Sequence, residues 1–186
     1  MNLLKKITSK GKAIYLAYDQ GLEHGPSQDF NDKNVSPDYI IEIAKKGKFT
    51  GMIFQKGIAE KYQKKIRASK IPLILKLNGK TNLFQGEPIS AQIATVEEAI
   101  KLSAVAVGFI IYLGSAHESQ MIEQFEKIES KAHAKNIPVI LWAYPRGKSV
   151  KNKSEKELLA YSCRVGLELG ADIVKIHWNG NFEDLK

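Results

Sequence analysis

The amino-acid sequence predicts an α/β protein, specifically an incomplete (β/α)8 TIM barrel in which about six β/α units are present. Apolar runs of strand length alternate with segments of helical periodicity along the chain. The later strands are continuous apolar runs, as expected for a parallel sheet buried on both faces. Polar residues stand at the ends of three predicted strands, and the carboxyl ends of barrel strands meet at one mouth.

The competing architecture is a doubly wound open sheet. No Gly-x-Gly-x-x-Gly motif follows the first predicted strand, which weakens a dinucleotide-binding version of that fold. No linker, composition shift or internal repeat divides the chain, so we expect one domain spanning residues 1–186. The barrel is therefore the predicted architecture.

The predicted strands and helices follow one another in order. Strands are expected at residues 13–18, 51–55, 72–77, 104–112, 138–144 and about 173–176. Helices are expected at residues 37–46, 58–68, 95–103, 118–135 and 154–169. Ser36 and Pro37 mark the first helix start, and Thr95–Glu98 has the pattern of a capping box. Residues 81–94 contain Gly86 and Pro88, and they predict a long loop with room for a short strand.

The composition is that of a globular protein, with 44% hydrophobic and 26% charged residues. No apolar run approaches the roughly 20 residues that span a bilayer, so no membrane partner is expected. The single cysteine, Cys163, and an N-terminus without signal-peptide order favour a cytoplasmic location. The net charge of +8 comes from lysines scattered along the chain. This scatter is typical of a solvated, lysine-rich surface, and binding of phosphorylated substrates is the next interpretation. A nucleic-acid partner is not expected.

Lys175 is the residue that least fits its surroundings. It lies within a β-branched run formed by Ile173, Val174 and Ile176, which predicts a buried strand. A buried ammonium costs several kcal/mol unless it is paired or has lost its proton. A desolvated lysine has a lowered pKa and attacks carbonyl groups as a free amine, so Lys175 is a candidate Schiff-base lysine. The alternative is a lysine at a strand end that extends its ammonium to water.

Two further residues form a coherent chemical set with Lys175. Tyr144 ends the fifth strand, and Asp19 directly follows the first. The amine would form an iminium with a ketone, the phenol would move protons, and the carboxylate would bind hydroxyls and assist dehydration. Tyr144 could equally be a half-buried tyrosine, and Asp19 could cap its own glycine turn. Their shared placement at one barrel mouth favours the catalytic interpretation.

Several segments in matching order also resemble a known family. They are Asp19–Pro26, Leu77–Thr81, Ile111–Ser115, Tyr144–Gly147 and Asp172–Lys175. The chain resembles the archaeal-type class I fructose-bisphosphate aldolases, which belong to the wider group of DeoC/LacD-like aldolases.

This resemblance implies a function and a set of roles. Lys175 would be the Schiff-base lysine, Tyr144 the acid/base and Asp19 the assisting carboxylate, with Trp142 lining the pocket. His24 and Arg146 would contact substrate, although Arg146 could instead be a salt-bridge residue at the rim. The reaction would be cleavage of fructose 1,6-bisphosphate into two triose phosphates, in glycolysis or gluconeogenesis, without a metal or other cofactor. The related alternative is the 2-amino-3,7-dideoxy-D-threo-hept-6-ulosonate synthase branch, whose first loop differs from Gln20–Gly25.

The resemblance has one large departure. Only eleven residues follow Lys175, whereas a (β/α)8 barrel usually needs roughly 250 residues in total. We therefore expect the last two strands, and the phosphate site that often lies on their loops, to be absent. The chain would be a fragment, a split gene product or an inactive remnant. It is expected to form a homo-oligomer or to need a complementing C-terminal polypeptide.

Overall fold

Six strands of the chain pair side by side in the order in which the sequence supplies them, and every pairing between them is parallel. The computed structural model describes residues 3–25, 28, 30–178, 180, 181 and 183. The six strands are β1 (Tyr15–Tyr18), β2 (Gly51–Gln55), β3 (Leu73–Lys76), β6 (Ala106–Leu113), β7 (Val139–Pro145) and β8 (Ile173–Lys175). A doubly wound sheet would reverse this order at a switch point. The uninterrupted order is that of a barrel, so the predicted fold class, an incomplete (β/α)8 barrel, is confirmed.

Two short strands form a separate antiparallel pair. They are β4 (Asn78–Gly79) and β5 (Ala91–Gln92), and they lie at the two ends of the long segment between β3 and the next helix. The expected long loop with a short strand is thus present.

Helices follow most of the sheet strands. They are α1 (Gln20–Glu23), α2 (Pro37–Lys46), α3 (Lys56–Lys61), α4 (Gln63–Ser69), α5 (Val96–Lys101), α6 (Glu118–Ala134) and α7 (Glu155–Glu168), with 3-10 turns at Leu3–Lys6 and Lys148–Val150. The capping box is confirmed: Glu98 N donates to Thr95 Oγ1 at 3.1 Å, and Thr95 N donates to Glu98 Oε2 at 2.8 Å. Among the described residues, no helix has both the length and the apolarity needed to cross a membrane.

Two predicted elements differ from the structure. The single helix expected at 58–68 is divided into α3 and α4, because the backbone of Tyr62 (φ −106°, ψ 14°) leaves the helical region. The amide of Tyr62 still donates to Ile58 O at 3.0 Å, so the two helices follow each other closely. The loop expected after the first strand contains one helical turn, α1, which brings Glu23 back toward the sheet.

The largest difference concerns the last strand. Lys175 and its neighbours were expected in a buried strand, but Ile173 and Val174 are only half-buried and Lys175 is exposed. Among the described residues no strand pairs with the outer edge of β8, and none pairs with the outer edge of β1. A cavity of about 450 Å³ opens between these two edge strands, and its lining includes Tyr15, Ala17, Ile140, Trp142 and Lys175. The exposure of β8 therefore comes from the open side of the barrel.

Candidate active site

All six residues selected from the sequence line one small cavity at the carboxyl ends of the sheet strands. The cavity has a volume of about 60 Å³, and its lining contains Asp19, His24, Trp142, Tyr144, Arg146 and Lys175 together with Glu23, Lys76, Ile110 and Tyr112. The sequence placed these residues up to 156 positions apart, from Asp19 to Lys175. The fold brings them together, although their chemical roles remain predictions.

The strand register explains this convergence. Side chains two residues apart on one strand point to the same face, so Trp142 and Tyr144 both face the barrel interior. Trp142 is the direct neighbour of Lys175 on β8, and Tyr144 is the direct neighbour of Tyr112 on β6. Parallel pairing thus places two aromatic rings and a lysine in adjacent positions of the inner face.

Lys175 extends its ammonium over these rings. Its Nζ lies 5.4 Å from the Trp142 ring centroid and 5.7 Å from that of Tyr144. Partial burial against the surrounding protein lowers the pKa of Lys175, and the positive charge of Lys76 lowers it further, whereas Asp19 acts in the opposite direction. The residue has a large accessible area because it faces the open side of the barrel, but its ammonium is still partly desolvated. A lysine in this state has more free amine at neutral pH than an ordinary surface lysine.

Tyr144 is buried, with 9% of its surface exposed. Burial, and next the negative charge of Asp19, raise the pKa of Tyr144 to about 12. The phenol is therefore protonated at neutral pH and is able to donate a proton. Its ring stacks on the imidazole of His177, with centroids 4.7 Å apart and planes inclined by 24°. No motif in the sequence assigns a role to His177.

Trp142 fits because the neighbouring strand provides space for its indole. Gly108 on β6 lies against the ring, and a Cβ atom at Gly108 would overlap Trp142 Cζ3 and Cη2. The glycine thus leaves room for the indole on the inner face of the sheet, beside Lys175.

Asp19 takes part in a buried charge cluster that the sequence analysis did not identify. Lys76 Nζ lies 2.9 Å from Asp19 Oδ2 and 2.5 Å from Glu23 Oε1, and Lys76 is only 1% exposed. A signal was available, because Lys76 interrupts the apolar run Leu73–Leu77 just as Lys175 interrupts its own run. Glu23 lies in the loop segment that follows the first strand, which the sequence marked as rich in polar residues.

Asn78, on β4, joins the chain next to this charge cluster to β6. Its fully buried side chain accepts a hydrogen bond from Ile110 N at 2.9 Å and donates one to Ile110 O at 2.9 Å. Gly79 follows it, and a Cβ there would lie only 2.6 Å from Leu22 Cδ2. The small residue lets α1 approach the sheet closely enough for Glu23 to reach Lys76.

His24 and Arg146 lie at the rim and are exposed. The Arg146 guanidinium stands 5.4 Å from the Tyr144 ring centroid and 5.7 Å from that of Tyr112. The guanidinium thus lies beside two aromatic rings of the cavity lining, and both of its expected roles, substrate contact and rim salt bridge, stay predictions. The described part of the chain also contains no group of three or more His, Cys, Asp or Glu side chains arranged to hold a metal.

Comparison with known proteins identifies the family. The profile of the DeoC/LacD family aldolases matches residues 13–182. The chain belongs to the DeoC/LacD aldolase family. Within this family, the chain is 47% identical over 180 residues to the class 1 fructose-bisphosphate aldolase of Thermoproteus tenax, a match that covers 96% of this chain and 66% of the relative. It is 42% identical over 177 residues to the class 1 fructose-bisphosphate aldolase of Halobacterium salinarum, covering 94% of this chain and 66% of that protein.

Comparison with a solved aldolase structure supports the barrel fold. An archaeal fructose-1,6-bisphosphate aldolase, determined with its catalytic lysine covalently bound to the carbinolamine intermediate, superposes with a TM-score of 0.90 at 43% identity. The match covers 98% of this chain and 72% of that structure. In the two sequence comparisons above, the chain spans 66% of each class 1 fructose-bisphosphate aldolase, which is just under two thirds of their length.

Proposed function

We propose that this chain carries the Schiff-base part of a class I fructose-bisphosphate aldolase site, a lyase that cleaves fructose 1,6-bisphosphate into glyceraldehyde 3-phosphate and dihydroxyacetone phosphate. The observation that carries the proposal is the position of Lys175, whose ammonium lies over Trp142 and Tyr144 in the cavity that Asp19 also lines. The named activity of relatives that are 47% and 42% identical supports this substrate. It favours fructose-bisphosphate cleavage over the aminodeoxyheptulosonate synthase alternative.

The first step is imine formation. The free amine of Lys175 attacks the C2 ketone of the substrate, and the carbonyl oxygen takes up a proton to give a carbinolamine. Loss of water then produces the iminium, which withdraws electrons from the neighbouring carbons. Asp19 is close enough to the reacting centre to bind substrate hydroxyls and to assist the loss of water.

The second step is cleavage of the bond between C3 and C4. Its electron pair moves into the iminium and gives an enamine, while the C4 hydroxyl loses its proton and becomes the aldehyde. Tyr144 takes this proton and later returns it to C3 of the enamine. The raised pKa of Tyr144 keeps the phenol protonated at the start, so it first gives its proton to the hydroxyl that leaves the carbinolamine as water. The resulting phenolate, stabilised by the positive iminium beside it, then accepts the C4 hydroxyl proton. After the phenol has protonated C3, it regains its proton when the imine is hydrolysed. Water finally hydrolyses the imine and regenerates Lys175.

Substrate binding requires more of the barrel than these residues form. The site cavity of about 60 Å³ is much smaller than the roughly 300–1,000 Å³ typical of ligand pockets. It borders the larger opening between β1 and β8, because Lys175 and Trp142 line both. His24 and Arg146 are the proposed rim contacts for a substrate phosphate. We expect a second segment, from the same or another polypeptide, to close this side and to complete the phosphate site.

Borohydride trapping tests the proposal directly. The chain would be incubated with dihydroxyacetone phosphate, reduced and mapped by peptide mass spectrometry, both alone and after mixing with the third of the Thermoproteus tenax relative that it does not match. The expected adduct is on Lys175, and Lys175→Arg should remove it because the guanidinium cannot form the imine. An adduct on Lys76 or Lys56, or no adduct in either mixture while the full-length relative is labelled, would contradict the proposal.

A further inference from the structure

The proposed catalytic steps do not use one aromatic side chain beside the site, His177. It lies two positions beyond Lys175, just after β8 ends. Trp142 is paired with Lys175 in the register of β7 and β8, so two further positions along both chains bring Tyr144 and His177 side by side. Side chains two residues apart on an extended chain point to the same face, and His177 therefore lies on the same side as Lys175.

The imidazole of His177 covers one face of the Tyr144 ring. The ring centroids are 4.7 Å apart and the planes are inclined by 24°. Aromatic rings at this separation attract each other in a stacked arrangement. Tyr144 is buried, whereas His177 is exposed. His177 is therefore the solvent-facing ring of the pair, and it reaches Tyr144 from the edge strand of the sheet.

Two other side chains also lie near the Tyr144 ring. The guanidinium of Arg146 is 5.4 Å from its centroid, and Lys175 Nζ is 5.7 Å from it. Both groups end long side chains with many rotamers, and Lys175 moves when it bonds to a substrate. Of the three neighbours, only His177 is a short side chain with a flat ring that restrains the tilt of the phenol.

His177 also adds little charge beside this ring. Partial burial lowers the pKa of His177, and the positive charges of Arg146 and Lys175 lower it further, whereas Glu155 acts in the opposite direction. A histidine in this state is neutral at neutral pH. A phenyl ring of similar size is therefore a close substitute for the imidazole in this stack.

We propose that His177 is a positioning residue, whose imidazole holds the Tyr144 phenol in the orientation in which it exchanges a proton with the substrate. This inference rests on the proposed roles of Tyr144 and Lys175. Rotation of Tyr144 about its side-chain bonds toward the open side of the barrel would carry the phenol oxygen away from C3 of the enamine. A misplacement of about 1 Å at a catalytic group costs up to about 10²-fold in rate.

Three variants separate stacking from other effects. His177→Ala removes the ring, and His177→Phe keeps a flat ring in its place. Because His177 is exposed, neither change should prevent folding. His117→Ala is the matched control, since the His117 side chain makes no capping hydrogen bond at the start of α6 and does not line the site cavity.

The first measurement needs no substrate. Nitration by tetranitromethane, followed by peptide mass mapping, measures the accessibility of the Tyr144 ring. His177→Ala should raise the nitration rate of Tyr144 by about threefold to tenfold, because the attraction that holds the two rings together is lost. His177→Phe and His117→Ala should leave the rate unchanged. Exposed Tyr161 is the internal reference in every sample.

The second measurement isolates the proton transfer. In the iminium of Lys175 with dihydroxyacetone phosphate, C3 gives a proton to the Tyr144 phenolate, and the C–H electron pair forms the enamine double bond and neutralises the nitrogen. In D₂O the phenol exchanges its proton for a deuteron and returns the deuteron to C3. Mass spectrometry of dihydroxyacetone phosphate measures this exchange, and borohydride trapping after long incubation measures the iminium at equilibrium.

The exchange is measured in the preparation that labels Lys175, which is the chain alone or its mixture with the unmatched third of the Thermoproteus tenax relative. His177→Ala should slow the exchange by about 10- to 10²-fold, because the phenol is misplaced, and should leave the amount of trapped iminium unchanged. His177→Phe should restore the exchange. A general disturbance of β8 would instead reduce trapping and exchange together.

Equal nitration of Tyr144 in His177→Ala and the unmodified chain would overturn the proposal. An unchanged exchange in His177→Ala, parallel losses of trapping and exchange, or a His177→Phe variant that behaves like His177→Ala would overturn it as well. If dihydroxyacetone phosphate labels Lys175 in neither preparation while nitration changes as expected, the proposed aldolase function fails, but the restraint of Tyr144 by His177 stands.

Discussion

At the scale of single residues, the cavity at the barrel mouth brings together Lys175, Tyr144 and Asp19 with a buried lysine, Lys76. Lys175, Tyr144 and Asp19 could be selected because each is a polar residue at the end of an apolar strand, and barrel topology brings those ends together. Lys76 was not selected, because its partners lie 57 and 53 positions away and are brought to it only by the packing of α1. A lysine within an apolar run marks an unusual site, but its partner depends on tertiary structure.

The Tyr144→Phe variant tests the proposed proton transfer. The change keeps the packing of the buried ring and deletes only the phenol oxygen, so stability should change little. In a complex that cleaves fructose 1,6-bisphosphate, the rate should fall by about 10²- to 10⁴-fold, the usual contribution of a positioned acid/base. Imine formation should persist, because the amine of Lys175 is untouched. Steady-state kinetics and borohydride trapping measure the two effects.

The matched control is Tyr39→Phe on α2, where the tyrosine is exposed and does not line the cavity. It should leave both cleavage and trapping unchanged. A loss of less than tenfold in Tyr144→Phe would remove Tyr144 from the acid/base role.

At the scale of elements, local signals predicted the positions of strands and helices well. Thr95 and Glu98 form their capping box because both partners lie within four residues of each other. The sequence did not predict the division between α3 and α4, because no glycine or proline marks the break at Tyr62. It also did not predict the helical turn α1, because that turn lies in a segment rich in turn residues. The burial of β8 was also wrong, because burial depends on neighbours that lie elsewhere in space.

Asn78 allows a test of how β4 and β6 are joined near the site. Asn78→Ala would leave the buried N–H and C=O of Ile110 without their side-chain partner, at a cost of about 1–3 kcal/mol for each unsatisfied group. We expect a lower free energy of unfolding in urea, with an unchanged m-value. Asn82→Ala, at an exposed position of the loop between β4 and β5, is the control and should shift stability by less than about 0.5 kcal/mol. Equal stability of the two variants would show that the Asn78 bridge contributes nothing.

At the scale of the whole molecule, the described part of the chain leaves the outer edges of β1 and β8 unpaired and has a largely apolar opening between them. Edges of this kind pair readily with other strands, and an unmatched apolar cavity favours association. The exposed side chain of Trp178 adds to this surface. Since this chain covers only 66% of the Thermoproteus tenax relative, we propose that a further segment fills the opening between β1 and β8.

The last prediction concerns this opening. Alone, the 186-residue chain should self-associate and should not cleave fructose 1,6-bisphosphate, because its mouth is incomplete. Mixing it with the unmatched third of the Thermoproteus tenax aldolase should give a one-to-one complex by light scattering. Ala17→Lys, on the inner face of β1, should prevent this complex, because it places an ammonium in the apolar opening. Ala68→Lys makes the same substitution on the outer surface of α4 and should leave assembly unchanged. A monodisperse monomer that cleaves the substrate unaided, or equal assembly of both variants, would show that this opening is not where the barrel is completed.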